Sequence, residues 1–197
     1  MDGIILINKE KKCTSHDVVY KIKKIFNEKV GHTGTLDPNA TGVLPILIGK
    51  GTKLSQYLIN HNKKYIATIK LGEKTDSQDS EGKVLKKMEV PESALLKENV
   101  LRVFSKYVGI QEQVPPIYSA IKVKGKKLYE YARNGQTVDV QPRQIEIYYI
   151  NLISINIYNK EITFEVSCSK GTYIRSLCQD IAESLNTVRL YEKIKPN

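Results

Sequence analysis

The chain has 197 residues, of which 41% are hydrophobic, and its 31 basic and 21 acidic side chains give a formal net charge of +10. This length is that of one generous domain, or of one domain with a substantial insertion, and the composition allows a buried core. No segment approaches the roughly 18 consecutive apolar residues of a membrane-spanning helix, and the acidic start is not typical of a signal peptide.

The charge and the cysteines indicate the partner and the compartment. A basic excess favours a polyanionic partner because each neutralised phosphate releases counterions, although a lysine-rich genome gives the same bias. The cysteines, Cys13, Cys168 and Cys178, are odd in number and have no Cys-x-x-Cys spacing. They therefore indicate neither a disulfide framework nor a zinc site, and we expect a cytoplasmic protein with no membrane partner.

The first elements predicted along the chain are a buried strand at residues 3–7 and an amphipathic helix at about residues 14–27. A capping box, Thr14 with Asp17 three residues on, marks the start of that helix. Residues 31–42 follow with three glycines, three threonines and a proline, a composition typical of a tightly turned loop. A strand predicted at residues 43–48 would hold that loop rigid.

One carboxylate, Asp37, lies in the middle of this loop, five residues after His32. A loop on a rigid scaffold is a common way to present a chemical group. The alternative is an Asx-turn, in which the Asp37 side chain hydrogen-bonds its own backbone ahead of Pro38. The loop alone leaves both interpretations open.

The rest of the chain predicts a short helix at 52–60, a strand at 64–72, a solvated acidic loop at 75–82, a strand at 83–89 and a helix at 91–106. A proline break then opens a lysine- and tyrosine-rich insertion at about 112–142. Segments 145–158 and 161–167 predict an antiparallel strand pair, and a final helix covers about 173–185. The predicted class is therefore α+β, with a mixed, largely antiparallel central sheet and flanking helices.

Several kinds of catalytic site are excluded by spacing. The three histidines are scattered, so no metal site is predicted, and neither a phosphate-binding loop nor a Gly-x-Ser-x-Gly motif is present. What remains is Asp37, with Tyr173 and Arg175 as aromatic and cationic partners. A surface salt bridge is the alternative role for Arg175.

Residues 126–133 interleave basic and aromatic side chains, with Lys126 and Lys127 followed closely by Tyr129 and Tyr131. Basic residues contact phosphate while aromatic faces stack on bases, so this segment is a candidate RNA contact. An amphipathic helix whose tyrosines pack inward has the same pattern, and both interpretations remain open.

Five segments carry a family resemblance: GHTGTLDPNATGVLP at residues 31–45, Lys64–Tyr65, the loop at residues 71–82, PPIYSAIK with GKKLYEYARNG within residues 115–135, and CSKGTYIR at residues 168–175. In this order they resemble the TruB family of tRNA pseudouridine synthases, which isomerise uridine 55 in the T-loop. The resemblance implies the pseudouridine synthase fold, with the insertion as a thumb that grips RNA.

By this resemblance Asp37 is the catalytic residue that attacks the target nucleotide, at either the sugar C1′ or the base. Tyr65 would stack on the uracil and take part in proton transfer, and Arg175 would pair with Asp37. Tyr173 would contact the extruded base, and His32 would lie in the loop that enters the space left by that base.

The resemblance also places Lys9, Lys126 and Lys127 in basic segments that bind the substrate. The implied partner is the T-stem-loop of tRNA, no metal or cofactor is needed, and we expect a monomer. After residue 185 the sequence matches neither the segment that completes the family's catalytic domain nor its common C-terminal PUA domain. We therefore expect one catalytic domain over residues 1–197 and no separate PUA domain, with the last wall of the pocket either missing or formed by Val188 and Leu190 as substitutes.

The leading hypothesis is thus an RNA-modifying isomerase acting on uridine 55 of tRNA. A second is a truncated relative that binds or remodels tRNA with little or no catalysis. A third is a general basic RNA-binding domain in which the aspartate motif is accidental.

Overall fold

The computed structural model describes residues 1–59, 61–75, 84–119, 121–187 and 189–196. Its elements in chain order are β1 (Gly3–Lys9), α1 (Ser15–Phe26), β2 (Val30–His32), β3 (Gly42–Ile48), α2 (Ser55–Leu58), β4 (Lys63–Leu71), β5 (Glu73–Thr75), β6 (Val84–Lys87), α3 (Lys97–Lys106), β7 (Gly109–Gln113), β8 (Lys122–Val123), β9 (Lys126–Lys127), α4 (Leu128–Arg133), β10 (Arg143–Asn156), β11 (Glu161–Cys168), α5 (Ile174–Ser184) and β12 (Arg189–Pro196). Two 3₁₀ helices, Gly49–Leu54 and Glu92–Leu95, precede α2 and α3.

Helix α1 begins and ends as its capping residues dictate. Thr14 is the N-cap, and both hydrogen bonds of the capping box with Asp17 are formed. At the other end Asn27 adopts a left-handed conformation (φ 50°), and its N–H donates to the Lys23 carbonyl. The predicted capping box and helix are confirmed.

Two predicted helices differ from the structure. The helix expected at 52–60 is a 3₁₀ helix, Gly49–Leu54, that runs into the single turn of α2. The helix expected at 91–106 is interrupted at Leu96, whose extended backbone (ψ 127°) separates a 3₁₀ turn from α3. Residue 60 and residues 76–83, which include most of the predicted acidic loop, lie outside the described residues.

The central sheet has five antiparallel strands in the order β12-β4-β11-β10-β7. The predicted antiparallel pair forms its middle as β10 and β11. A second sheet, in the order β1-β3-β2, carries the Asp37 loop between β2 and β3. The mixture of helices and antiparallel sheets gives an α+β fold.

The core lies where α3 and α5 pack against the central sheet. Phe104 of α3 meets Phe164 of β11 with ring centroids 5.2 Å apart, and Leu177 and Ile181 of α5 are fully buried in the same cluster. This packing fixes the N-terminal end of α5 relative to the sheet. None of the described helices is long and apolar enough to span a bilayer.

Candidate active site

The loop that carries Asp37 is fastened on both sides of that residue. The buried Ser15 hydroxyl, at the start of α1, accepts a hydrogen bond from the Leu36 N–H (2.9 Å) and donates one to the Leu36 carbonyl (3.2 Å). On the other side the Lys9 ammonium donates to the Pro38 carbonyl (3.2 Å). Because these bonds tie the loop to α1 and β1, the carboxylate stands on a fixed backbone.

The Asp37 side chain points to Arg175 and does not close the turn in its own loop. The turn is closed by the Ala40 N–H, which donates to the main-chain oxygen of Asp37 (3.0 Å). The carboxylate Oδ2 lies 3.0 Å from Nε of Arg175. The structure therefore favours the chemical role of Asp37 over the Asx-turn interpretation.

Arg175 is a buried arginine, not a surface one. Its side chain is 10% exposed, while that of Asp37 is 43% exposed. The Nη2 group of the same guanidinium donates to the main-chain carbonyl of Tyr118 (3.0 Å). Since a buried guanidinium keeps its charge, it needs such acceptors around it, and its planar fork holds both partners in one geometry.

Asp37 and Arg175 open onto a cavity of about 480 Å³ at the edge of the sheet. Aromatic side chains from four different segments line it: Tyr65, Tyr118, Tyr129 and Tyr173. This volume lies within the range of small-ligand sites, and aromatic faces are the surfaces on which nucleobases stack. The cavity therefore combines a carboxylate with a stacking environment.

Tyr65 comes into this cavity from β4, where it pairs with Val166 of β11. Burial raises the pKa of Tyr65, and electrostatic interactions with Cys168 and Asp37 act in the same direction. The phenol therefore keeps its proton at neutral pH. Tyr65 offers an aromatic face and a hydrogen-bond donor, not an anionic base.

The structure brings together four of the predicted site residues, Asp37, Tyr65, Tyr173 and Arg175. His32 is not among the residues that line the cavity; it ends β2, where burial lowers the pKa of its imidazole.

Lys9 differs from its predicted role. Its side chain is 1% exposed, and its ammonium donates to the carbonyls of Glu10 (2.9 Å), Cys13 (2.6 Å) and Pro38 (3.2 Å). Because all three donor positions face carbonyls, Lys9 holds the loop in place and is not available to a substrate phosphate.

The predicted lysines of the insertion are not among the residues that line the cavity. Lys126 is exposed on β9. The ammonium of Lys127 donates to the hydroxyl of Tyr129 (3.2 Å), which does line the cavity. Lys127 thus contacts an aromatic side chain of the cavity wall.

Sequence reasoning did not place Tyr118 or Ser119 at the site, and it identified Tyr129 only as part of a candidate RNA contact. Each falls in a segment that was singled out, but spacing gives no sign that the insertion folds back over Arg175. The Arg175 bond to the Tyr118 carbonyl shows that it does.

The C-terminal segment forms β12, which was not predicted. Its backbone pairs with β4 along the whole strand, with Pro196 opposite Tyr65 and Leu190 opposite Lys70. Five residues of β4 separate these two positions, a distance of about 16 Å. The expectation that Leu190 closes the pocket stays a prediction, and Val188 lies outside the described residues.

The sequence profile described as "TruB family pseudouridylate synthase (N terminal domain)" matches residues 23–174. This range holds Asp37, Tyr65 and the start of α5. The chain belongs to the TruB family. The assignment confirms the resemblance on which the site residues were predicted.

Curated TruB relatives are similar over almost the whole chain. The chain is 49% identical over 186 residues to tRNA pseudouridine synthase B of Alkaliphilus oremlandii, and 50% identical over 187 residues to that of Francisella tularensis subsp. tularensis. These matches cover 94% of this chain but 60% and 61% of the two relatives. The chain thus spans about three-fifths of the length of these TruB proteins.

Solved structures support the TruB fold. A protein chain in the crystal structure of a Cbf5-Nop10-Gar1 complex superposes with a TM-score of 0.74 at 31% identity, covering 99% of this chain and 48% of that one. A chain in a structure of an H/ACA RNP bound to a substrate RNA containing 2′-deoxyuridine gives a TM-score of 0.70 at 28% identity, covering 99% of this chain and 46% of that one.

Proposed function

We propose that this chain converts uridine to pseudouridine in tRNA, with Asp37 as the catalytic residue. The observation that carries the proposal is the 3.0 Å pair between Asp37 and the buried Arg175 at the wall of a cavity lined by tyrosines. The curated relatives, named tRNA pseudouridine synthase B, supply the reaction and the class of RNA.

The reaction moves a bond without adding or removing atoms. The N1–C1′ glycosidic bond breaks, a C5–C1′ bond forms, and the hydrogen on C5 is replaced by one on N1. Asp37 attacks the nucleotide, at C1′ or at the base, and Arg175 Nε holds the attacking carboxylate in place. The bond between Asp37 and the nucleotide breaks again before the product leaves, which restores the carboxylate. A positioned nucleophile of this kind divides one difficult step into two easier ones.

The aromatic walls hold the uracil while it is detached from the sugar. Tyr65 presents its ring, and its phenol is protonated and able to donate a hydrogen bond. A base must leave its stack before this chemistry, at a cost of a few kcal/mol. Stacking, worth roughly 1–3 kcal/mol per base, offsets that cost, as do phosphate contacts to a chain of net charge +10.

We propose uridine 55, in the T-loop, as the position that reacts. Support comes from the insertion, which places Lys127 and Tyr129 at the mouth of the cavity. A stem-loop gripped there would enter with its loop toward Asp37.

Tritium release tests the proposal. A tRNA transcript labelled at uridine C5 is incubated with the chain, beside a matched transcript in which uridine 55 is replaced by cytidine. We expect release of label from the first transcript and none above background from the second. Equal release from both would contradict the assignment to position 55.

The binding-only hypothesis predicts a different result from the same assay. A chain that retains a T-stem-loop but releases no label under single-turnover conditions would support RNA binding without catalysis. A chain that does neither would contradict both hypotheses.

A further inference from the structure

Gln113, which the sequence motifs did not single out, makes two hydrogen bonds to one residue of the candidate active site. It is the last residue of β7, where the insertion begins, and it is 6% exposed. Its side-chain oxygen accepts from the Tyr173 N–H (2.8 Å), and its side-chain nitrogen donates to the Tyr173 carbonyl (3.1 Å). One amide thus satisfies both main-chain groups of Tyr173.

Tyr173 is the N-cap of α5, the position from which the direction of this helix is set. Its backbone is extended (φ −96°, ψ 105°) and no side chain of its own caps the helix. Its carbonyl also accepts the first helical hydrogen bond, from the Leu177 N–H (3.1 Å). Because Gln113 binds both sides of this residue, it fixes the point where α5 leaves the sheet.

Arg175 lies two residues further along the same turn. Its guanidinium reaches both the Asp37 carboxylate and the Tyr118 carbonyl of the insertion, each at 3.0 Å. A second contact between the two segments, from the Ser176 hydroxyl to the Val114 carbonyl, is longer, at 3.4 Å. The start of the insertion and the first turn of α5 are therefore joined by hydrogen bonds at several points.

We propose that Gln113 is a positioning residue, which holds Tyr173 and, through the first turn of α5, the Arg175 guanidinium against Asp37. This inference rests on the proposed function and names the residue that joins the RNA-gripping insertion to the catalytic pair. Gln113 does not line the cavity that holds Asp37, so it acts through Tyr173 and Arg175 and not on the substrate.

An isosteric variant tests this role inside a single protein. In Gln113→Glu a charged carboxylate still accepts from the Tyr173 N–H but repels the Tyr173 carbonyl. A protonated carboxyl restores the donor and reproduces both bonds of the amide. Glu112, Asp180 and Glu183 line the same groove, and their charges raise the pKa of an added acid.

The measurement is the single-turnover rate with saturating tRNA from about pH 5 to pH 8, divided at each pH by the rate of the parent chain. For Gln113→Glu we expect the relative rate to be about 10- to 100-fold lower than that of the parent chain near pH 8. This loss of rate should become smaller as the pH falls. Gln113→Ala should show a similar loss that does not change with pH, and the affinity for tRNA should change far less than the rate in both variants.

Gln111→Glu is the matched control. Gln111 lies two residues earlier on β7, and its amide donates to the Tyr107 carbonyl (2.7 Å) at a distance from Tyr173. We expect a rate ratio near one at every pH. A pH-independent loss in Gln113→Glu, or an equal loss in Gln111→Glu, would overturn the proposal.

Hydrogen exchange separates this inference from the proposed function. The Tyr173 N–H donates to Gln113. In Gln113→Ala, the backbone amide hydrogens of the peptide that spans residues 169–177 should therefore exchange faster than in the parent chain. An inactive parent with this faster exchange would contradict the proposed function alone. An active parent whose Gln113→Ala variant keeps both its rate and its protection would overturn the inference alone.

Discussion

At the scale of single residues, Arg175 connects three parts of the molecule. It stands on α5, pairs with the carboxylate of the Asp37 loop and binds the Tyr118 carbonyl of the insertion. These two contacts use different nitrogens of one planar group. A lysine in its place is a compact point charge, which cannot reproduce the fixed spacing and direction of two donor nitrogens on a planar guanidinium.

Arg175→Lys should therefore lower the single-turnover rate by about 100-fold or more, with a smaller loss of tRNA affinity. Rate and affinity are measured on the same preparation, by tritium release and by filter binding. Arg102→Lys is the control, because Arg102 lies on α3 with an exposed contact to Asn99. Equal losses of rate and affinity would contradict the role given to Arg175.

Sequence reasoning located the paired side chains of the candidate site better than the residues that support them. Asp37 and Arg175 lie in distinctive segments, and their pairing followed from the family resemblance. The substrate role predicted for Lys9 came from the family resemblance alone. One of its three carbonyl partners, that of Pro38, lies 29 residues away, and no local pattern encodes that contact.

At the scale of elements, two adjacent residues at the start of α1 have different roles: one caps the helix, and the other holds the Asp37 loop. The Thr14 hydroxyl caps the helix by accepting from the Asp17 N–H (3.0 Å). The neighbouring Ser15 hydroxyl leaves the helix and binds Leu36, the residue before Asp37. Removing each hydroxyl separately therefore distinguishes its effect on helix stability from its effect on the position of the loop.

Thr14→Ala should lower the free energy of unfolding by about 1 kcal/mol and leave turnover nearly unchanged. Ser15→Ala should lower the free energy of unfolding by about 1–3 kcal/mol, because it leaves buried main-chain groups of Leu36 without a partner. It should also slow turnover. Urea denaturation and single-turnover assays measure the two effects. If both variants slow turnover equally, Ser15 does not position the loop.

Helices and strands with a clear apolar periodicity in their own sequence were predicted. Strands that depend on pairing with a distant strand were not. Helix α1 and the β10–β11 pair have clear apolar patterns and agree with the structure. Strands β2, β7 and β12 were missed. β7 reads Gly-Ile-Gln-Glu-Gln and is a strand because it pairs with the first residues of β10, a contact that depends on the whole sheet.

At the scale of the whole molecule, the sheet order explains how the site is assembled. β4 and β11 are neighbours, so Tyr65 and the segment that leads into α5 meet at one end of the sheet. Cys168, the last residue of β11, is fully buried next to that site. Burial raises the pKa of Cys168 from 9.0 to about 11, against smaller opposing effects of Thr172 and Lys63.

This shift predicts a loss of stability in alkali. Between pH 9 and pH 11 the folded thiol keeps a proton that the unfolded thiol releases, so a rise in pH favours unfolding. The contribution of Cys168 is about 2–3 kcal/mol over that interval. Denaturation curves measured at several pH values should show a shallower alkaline decline for Cys168→Ala than for the parent chain. Identical slopes would show that this thiol does not retain its proton on folding.

The central claim, that the carboxylate beside Arg175 performs the chemistry, is tested most directly by Asp37→Asn. The substitution keeps the size of the side chain and removes its charge. The measurement is tritium release from C5-labelled tRNA in a single turnover, with tRNA affinity and thermal stability recorded on the same sample. We predict that Asp37→Asn binds tRNA and stays folded but releases no label above background. Release at the rate of the parent chain would contradict the claim.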